Sequence, residues 1–307
     1  MEKVIVVIGP TSVGKTKMGV ALAKKFNGEV ISGDSMQIYK QMDIGTAKVT
    51  EEEKEGIIHH CVDILNPDET YSVHDFQQTV RKKITEITQR GHVPIIVGGT
   101  GLYIKAALYD YQFDEMENDH HAINEKYKDY TNEQLHDHLK SIDEESAKIL
   151  HFNNRRRVLR AIEIYETTGK RKSEMLEEQE HICLYDAYFV GLTLPRDILY
   201  ERINKRVDVM MKNGLKEEMD QLYSQGLTRN HQSMKAIGYK EWFDYYDRQI
   251  DLNEVLELIK KHSRQYAKRQ YTWFKNQFDV HWYDVNLENF EQTIEQVTDD
   301  IEKIIKV

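Results

Sequence analysis

The sequence predicts an α/β fold, a parallel sheet flanked by helices and interrupted by a helical insertion. Three observations carry this expectation. "KVIVVIG" at residues 3–9 is continuously apolar and β-branched and ends in glycine, the texture of a strand buried on both faces. "VPIIVGGTGLY" at 93–103 repeats that texture and reads as another buried strand, broken by Gly98, Gly99 and Gly101. Between the two run segments of helical period: in "KTKMGVALAKKF" Met18, Leu22 and Phe26 fall on one face.

The remaining elements follow in order. "GEVISGDS" at 28–35 reads as a short strand entering a turn. "YSVHDFQQTVRKKITEITQRG" reads as a helix from a Ser72 cap to Gly91. After Tyr109 the chain turns polar, acidic and rich in His and Tyr. "TNEQLHDHLKSIDEESAKIL" then reads as two short helices, and "NNRRRVLRAIEIYETTGKRKSEML" continues the helical pattern. "AYFVGLTLP", from Ala187, returns to a strand of the first sheet. The expected organisation is a core of 1–110 with 184–307 and a helical insertion at 111–183. Long helices are expected to about Gly226 and again over 233–277, then a short strand in "HWYDV" and a last helix.

Composition narrows the function classes. A formal net charge of −10 gives no general attraction to nucleic acid or anionic membrane, so any polyanion must be met by a local basic patch. Two cysteines, Cys61 and Cys183, make no disulfide framework and suit a reducing cytoplasm. The Val4–Ile8 run is of strand length, and no later stretch approaches membrane length. No internal repeat is visible. The histidines of "HHC" at 59–61, the His120–His121 pair and the His136/His138 pair complete no zinc-ligand spacing and read as surface or structural.

"GPTSVGKT" fits G-x-x-x-x-G-K-[ST], with a strand before it and a helix after it. Backbone N–H groups of Gly9, Pro10 (which offers none), Thr11, Ser12, Val13 and Gly14, with the helix N-terminus, describe an anion site. Lys15 adds a mobile cation, and Thr16 can hold a magnesium ion. The core is therefore expected to be P-loop NTPase-like. Yet the strand in "PIIVGGTG" ends without the acid a triphosphate machine uses there, and no N-K-x-D is present. Asp34, Ser35 and Gln37 lie instead at the end of the second strand, at the carboxyl edge where such sheets bind ligands. By spacing alone Asp34 reads equally as a helix or turn cap, and Thr100 after two glycines as a turn residue. Arg206 reads as part of a solvated helix face with Arg202.

Seven segments carry a resemblance: "GPTSVGKT", "SGDSMQIYKQMDIGTAK", "IIVGGTGLY", "RRVLRAIEIYETTGK", "LYERINKRVDVMMKNGL", "SMKAIGYKE" and "RQYAKRQYTWF". In this order, across nearly the whole chain, the sequence resembles the transfer RNA dimethylallyltransferases (isopentenylpyrophosphate transferases). It departs at 111–130, which lacks the proline-rich, arginine-bearing segment usual at the start of the family's insertion. The resemblance implies transfer of a dimethylallyl group from dimethylallyl diphosphate to N6 of the adenosine 3′-adjacent to the anticodon, position 37 in tRNAs reading codons that begin with U. It implies that residues 9–16 and a magnesium ion at Thr16 neutralise the diphosphate, and that Arg206 reaches it from the later helices. It assigns Asp34 to accept the amine proton, with Ser35, Met36 and Gln37 beside the base and Thr100 bridging to diphosphate or amine. Lys235 and Lys240, in "SMKAIGYKE", fall to RNA contact.

Basic clusters supply the rest of the expected RNA surface. "RRRVLR" carries Arg156, Arg157 and Arg160, and from Leu258 to Phe278 there are six Lys or Arg and no acid, with Tyr266, Tyr271, Trp273 and Phe274 interleaved. Lys261, Arg264 and Lys268 share a helical face. The plainer reading is an amphipathic helix with its aromatics in the core. An anticodon-loop adenine must be extruded to reach Asp34, which implies a channel open to RNA on one side and donor on the other. The expected protein is a cytoplasmic monomer without membrane contact. Rival readings are a small-molecule kinase, a prenyltransferase of free adenylates and a non-catalytic RNA-binding protein.

Overall fold

The computed structural model describes residues 1–111, 120–177 and 181–304; residues 112–119 of the atypical 111–130 segment lie outside it. The chain divides into two compact units, 1–109 with 183–307, and 110–182.

The larger unit is built on six strands, β1 (Lys3–Ile8), β2 (Gly28–Ser32), β3 (His59–His60), β4 (Val93–Val97), β5 (Asp186–Thr193) and β6 (His281–Asp284). All pairings are parallel, in the order β3-β2-β4-β1-β5-β6. β1 is central: Ile5 registers with Ile95 on one side and Tyr188 on the other. Its side chains alternate between two cores, which explains the unbroken apolar run. Val4, Val6 and Ile8 face one core, and Ile5 and Val7 face the other. The second core is closed by Met18, Leu22 and Phe26 of α1 (Lys15–Lys25), the face read from the sequence, and by α14 (Phe290–Ile304) through Val297 and Ile301. The first is closed by Phe76, Val80, Ile84 and Ile87 of α3 (Val73–Gln89) and by the helices after β5. Those are α10 (Arg196–Lys212), α11 (Leu215–Ser224), α12 (Trp242–Tyr246) and α13 (Leu252–Gln277). α3 starts in a capping box of Ser72 with Asp75.

Three expectations need correction. The strand read through residue 103 stops at Val97, and α4 (Gly101–Leu108) begins four residues on, taking in Leu102 and Tyr103 of that run. So short an apolar run has no period strong enough to separate helix from strand. The helix read over 233–277 is three pieces. A 3-10 turn at Ser233–Lys235 is followed by Gly238 at φ 97° and by α12, and α13 starts only at an Asp251/Glu254 capping box. The two-residue β3 escaped the sequence reading; His60 there meets Glu29 at 2.6 Å.

The smaller unit packs α5 (His120–Lys126), α6 (Asn132–Ile142), α7 (Glu144–Ile149), α8 (Arg155–Thr168) and α9 (Lys172–Glu177) around Leu135, Leu139, Val158 and Ile162. α8 ends on Gly169 at φ 72°, the left-handed cap that glycine tolerates. His136 bonds the carbonyls of Ala147 and Leu150, and His138 meets the Tyr127 hydroxyl. The side chains of His120 and His121 lie outside the described residues.

The turn after β4 lies directly on the turn after β2: a Cβ at Gly98 would sit 2.3 Å from the backbone of Gly33. Backbone cannot yield there as a flexible side chain would. Gly98→Ala should therefore lower unfolding free energy by about 1–3 kcal/mol or more, read from urea denaturation; an unchanged midpoint would contradict this packing.

Candidate active site

The phosphate loop runs from the carboxyl end of β1 into α1. Gly14 is the N-cap of α1 at φ 102°, and Ser12 takes the left-handed region at φ 67°, unusual for a residue with a side chain. The Ser12 hydroxyl is buried and has no hydrogen-bond partner. Lys15 folds back over the loop, its Nζ donating to the carbonyls of Gly9 at 3.0 Å and Pro10 at 2.8 Å.

Facing the loop is the turn after β2. Asp34 Oδ1 accepts from the Met36 N–H at 2.8 Å, which fixes the carboxylate over its own turn. Thr100, at the N-cap of α4, ties the two turns together: its Oγ1 accepts from the Ser35 N–H at 3.1 Å and donates to Ser35 Oγ at 3.3 Å. Gln37 is spent on the neighbouring loop, its Nε2 donating to Thr46 O and Ala47 O and its Oε1 accepting from Ser32.

The later helices close the site. Arg206 on α10 approaches Thr11 Oγ1 at 3.5 Å, and Arg202, one turn earlier, donates from Nε to Ser12 O at 3.0 Å. Thus the Arg202/Arg206 face is turned to the phosphate loop, with Arg206 half-buried and Arg202 still exposed to solvent. Gln270 on α13 is buried, accepts from the Thr11 N–H at 3.0 Å and donates to Gly99 O at 3.0 Å. Tyr266 donates to the same carbonyl at 3.2 Å. Sequence reasoning missed Arg202 and Gln270. The available signal for Gln270 was a polar residue on a stripe otherwise held by Ile259, Ala267 and Phe274.

Burial sets the electrostatics. It pushes the Lys15 amine down to about 7, with Arg206 adding to the effect and Asp34 opposing it. It lifts the Asp34 carboxyl above the usual range, against the Met36 N–H and the Lys15 charge. It lowers Arg206 and raises Tyr266 to about 12.

Two cavities meet at this point. One of about 530 Å³ takes in Lys15, Thr16, Gln37, Arg202 and Lys205. The other, about 340 Å³, takes in Ser35, Met36, Lys235, Lys240, Tyr266 and Arg269. Thr11, Ser12, Asp34, Thr46, Ala47 and Arg206 border both. Lys261 and Lys268 are exposed on α13 outside these cavities, and Arg264 between them bonds Asn204 Oδ1. Arg156 and Arg157 are exposed on α8 of the smaller unit, where Arg160 pairs with Glu163 at 2.8 Å.

A phosphate loop at a parallel-sheet edge, faced by a half-buried carboxylate and two arginines, defines a P-loop α/β protein. Residues 37–277 match the family model for IPP transferase, and the chain belongs to that family. It is 55% identical over 287 residues to the tRNA dimethylallyltransferase of Bacillus cereus strain AH187, covering 92% of this chain and 90% of that one. Its fold is similar to the tRNA delta(2)-isopentenylpyrophosphate transferase of Staphylococcus epidermidis, with TM-score 0.74 and 47% identity over 99% of both chains. A solved eukaryotic dimethylallyltransferase acting on tRNA superposes with TM-score 0.85 at 32% identity, over 99% of this chain and 79% of that one.

An anion seated in the loop raises the Lys15 pKa above its free value of about 7. Binding then takes up a proton whenever the pH exceeds the free value. Affinity for inorganic diphosphate should be greatest below neutral pH and fall, by up to about tenfold per pH unit, as pH rises towards the bound-state pKa. Titration calorimetry of wild type and Lys15→Met checks this; equal slopes for the two would remove the amine from the site.

Proposed function

We propose that the protein transfers the dimethylallyl group of dimethylallyl diphosphate to N6 of the adenosine 3′-adjacent to the anticodon of tRNA. The observation that carries this reading is the meeting of the two cavities at Asp34 and Arg206. The phosphate loop walls the larger one and suits the donor. Lys235, Lys240 and Arg269 rim the smaller one and suit an extruded base with its flanking phosphates. The amine attacks C1 of the donor as the C1–O bond breaks, and the bonding pair leaves with diphosphate. Asp34 accepts the amine proton, for which its raised pKa suits it. Lys15, Arg206, Arg202 and the loop amides stabilise the departing charge.

The magnesium expectation fits these residues. Thr16, the second residue of α1, lines the donor cavity. Among those residues no three His, Cys, Asp or Glu converge as a metal site. Mg²⁺ keeps several waters and is held largely through substrate phosphates, and a P-loop Ser/Thr hydroxyl is one of its protein ligands. The ion would supply further neutralisation of diphosphate. We take the acting species to be a monomer. No described helix is long and apolar enough to cross a membrane, and we place the activity with tRNA in the cytoplasm. A kinase reading finds no support in the turn after β4, which has glycines where an acid would stand.

Incubation with dimethylallyl diphosphate and unmodified tRNA, followed by mass analysis of nucleosides, should show adenosine heavier by one dimethylallyl group. Asp34→Ala should slow single turnover by about 10²–10⁴ while RNA affinity is nearly kept. Turnover of that variant near the wild-type rate would refute the assigned role.

The exposed Lys261 and Lys268, with Arg264, should grip RNA phosphates. Changing all three to Gln should weaken RNA binding and flatten the dependence of log affinity on log salt by about one unit or more. A solvated face with no RNA contact leaves the slope unchanged.

A further inference from the structure

The segment between Met42 and Lys48 forms a wall of the place where the cavities meet. Thr46 and Ala47 border both cavities, and Gly45 borders the one assigned here to the acceptor base. This segment has no regular secondary structure, yet its polar backbone groups are taken up from several sides. Gln37 holds the carbonyls of Thr46 and Ala47. The Thr46 hydroxyl donates to Met42 O at 2.6 Å. Lys48, buried, donates to Tyr39 O at 2.8 Å and to Asp63 Oδ1 at 2.6 Å.

The Ala47 and Lys48 amides turn back onto the carbonyls of Ile44 and Asp43, and the amides of residues 43–45 are held by one side chain. Glu218, in the first turn of α11, accepts from three successive backbone N–H groups, Asp43 at 2.8 Å, Ile44 at 2.7 Å and Gly45 at 3.0 Å. It also accepts from the Tyr239 hydroxyl at 2.6 Å. Consecutive N–H groups converging on one point make the concavity that elsewhere captures a phosphate. Here the protein's own carboxylate fills it. Four donors match the roughly four acceptor positions of an ionised carboxylate. Tyr239 is fully buried, and its ring lies so close to Gly45 that a Cβ there would approach it to 2.5 Å. Gly238, beside it, borders the acceptor cavity.

From this geometry we infer that Glu218 is a positioning residue for the acceptor base: it sets the wall of residues 43–47 against which the adenine is presented to Asp34. The inference rests on the function proposed above. Glu218 borders neither of the two cavities and touches no reacting atom. It acts through the loop, whose fit to the base decides whether N6 reaches the carboxylate in line with the donor. A tolerance of well under an ångström is usual for such positioning.

Glu218→Gln keeps the shape but leaves one oxygen to accept from two of the donors and turns an NH₂ group on the other two. With an anticodon stem-loop as substrate, the variant should show an RNA KM raised about tenfold or more, while the KM for dimethylallyl diphosphate stays within about twofold. A role confined to stability lowers the melting temperature and the active fraction but leaves both KM values alone. That outcome, an unchanged RNA KM, overturns the inference. Should Glu218→Gln fail to fold, Tyr239→Phe decides, because it removes one donor and leaves the carboxylate. It should raise the RNA KM by a few-fold with the donor KM unmoved, and an unmoved RNA KM counts against the inference. Wild-type turnover in the same assay reports on the function itself, so failure of that reading is seen separately.

Discussion

The site depends on desolvation of charge. Lys15, Asp34 and Arg206 are all partly withdrawn from water at the carboxyl edge of the sheet, with two cations to one carboxylate. Stripping hydration from an ion costs several kcal/mol even after relaxation, and the opposing charges here offset only part of that cost. The consequence shows in both directions: the amine is weakened as a cation and the carboxyl strengthened as a base. Under the proposed function, a diphosphate entering this site would meet positive groups whose hydration is already partly removed. The unpartnered Ser12 hydroxyl and the left-handed Ser12 backbone belong to the same preparation, since both leave polar groups waiting on the loop.

That preparation is held from far along the chain. The loop is fixed by Gln270 and Arg202, and the facing turn by Thr100. α13 contributes at two levels. Its inner face sends Tyr266 and Gln270 to the Gly99 carbonyl, and its outer face exposes Lys261 and Lys268. One helix thereby spans from the phosphate loop to the basic surface, and under the proposed function its geometry would set the registration of RNA against donor.

The sequence made the local parts of this legible. Glycine spacing encodes the anion-binding loop, the Ser72 cap encodes the start of α3, and alternation hidden within "VIVVI" encodes a strand with two cores. Asp34 and Thr100 were found through their motifs, and the structure brings them together through Ser35. What stayed out of reach is long-range pairing. Gln270 lies 259 residues from Thr11, Arg202 lies 190 from Ser12, and Glu218 lies 175 from Asp43. Residue type announces that a group needs a partner, but spacing says nothing of which one when the chain between them is a domain long. Arg202 shows the cost: on α10 it has the same periodicity as a solvated arginine, and only the loop it meets distinguishes the two. The misread α4 is a different case, because a short apolar run carries no period strong enough to separate helix from strand.

The negative charge of the chain and the handling of a polyanion are reconciled by the same separation of surfaces. Displacement at a primary carbon requires the nucleophile and the leaving group on opposite sides of the reacting atom. A single deep pocket would force both anionic substrates through one mouth, with mutual repulsion and with product trapped behind RNA. Two cavities that touch only along Thr11, Ser12, Asp34, Thr46, Ala47 and Arg206 remove that conflict. Lys205 and Arg202 stand on the donor side, and Lys235, Lys240 and Arg269 on the other. Each substrate meets its own positive rim, and the remainder of the surface can stay acidic without opposing either. The residues shared by both cavities are then the ones that must serve both substrates. Under the proposed function Asp34 and Arg206 do so with opposite charge: the carboxylate would face the amine that loses a proton, and the guanidinium the oxygen that gains electrons.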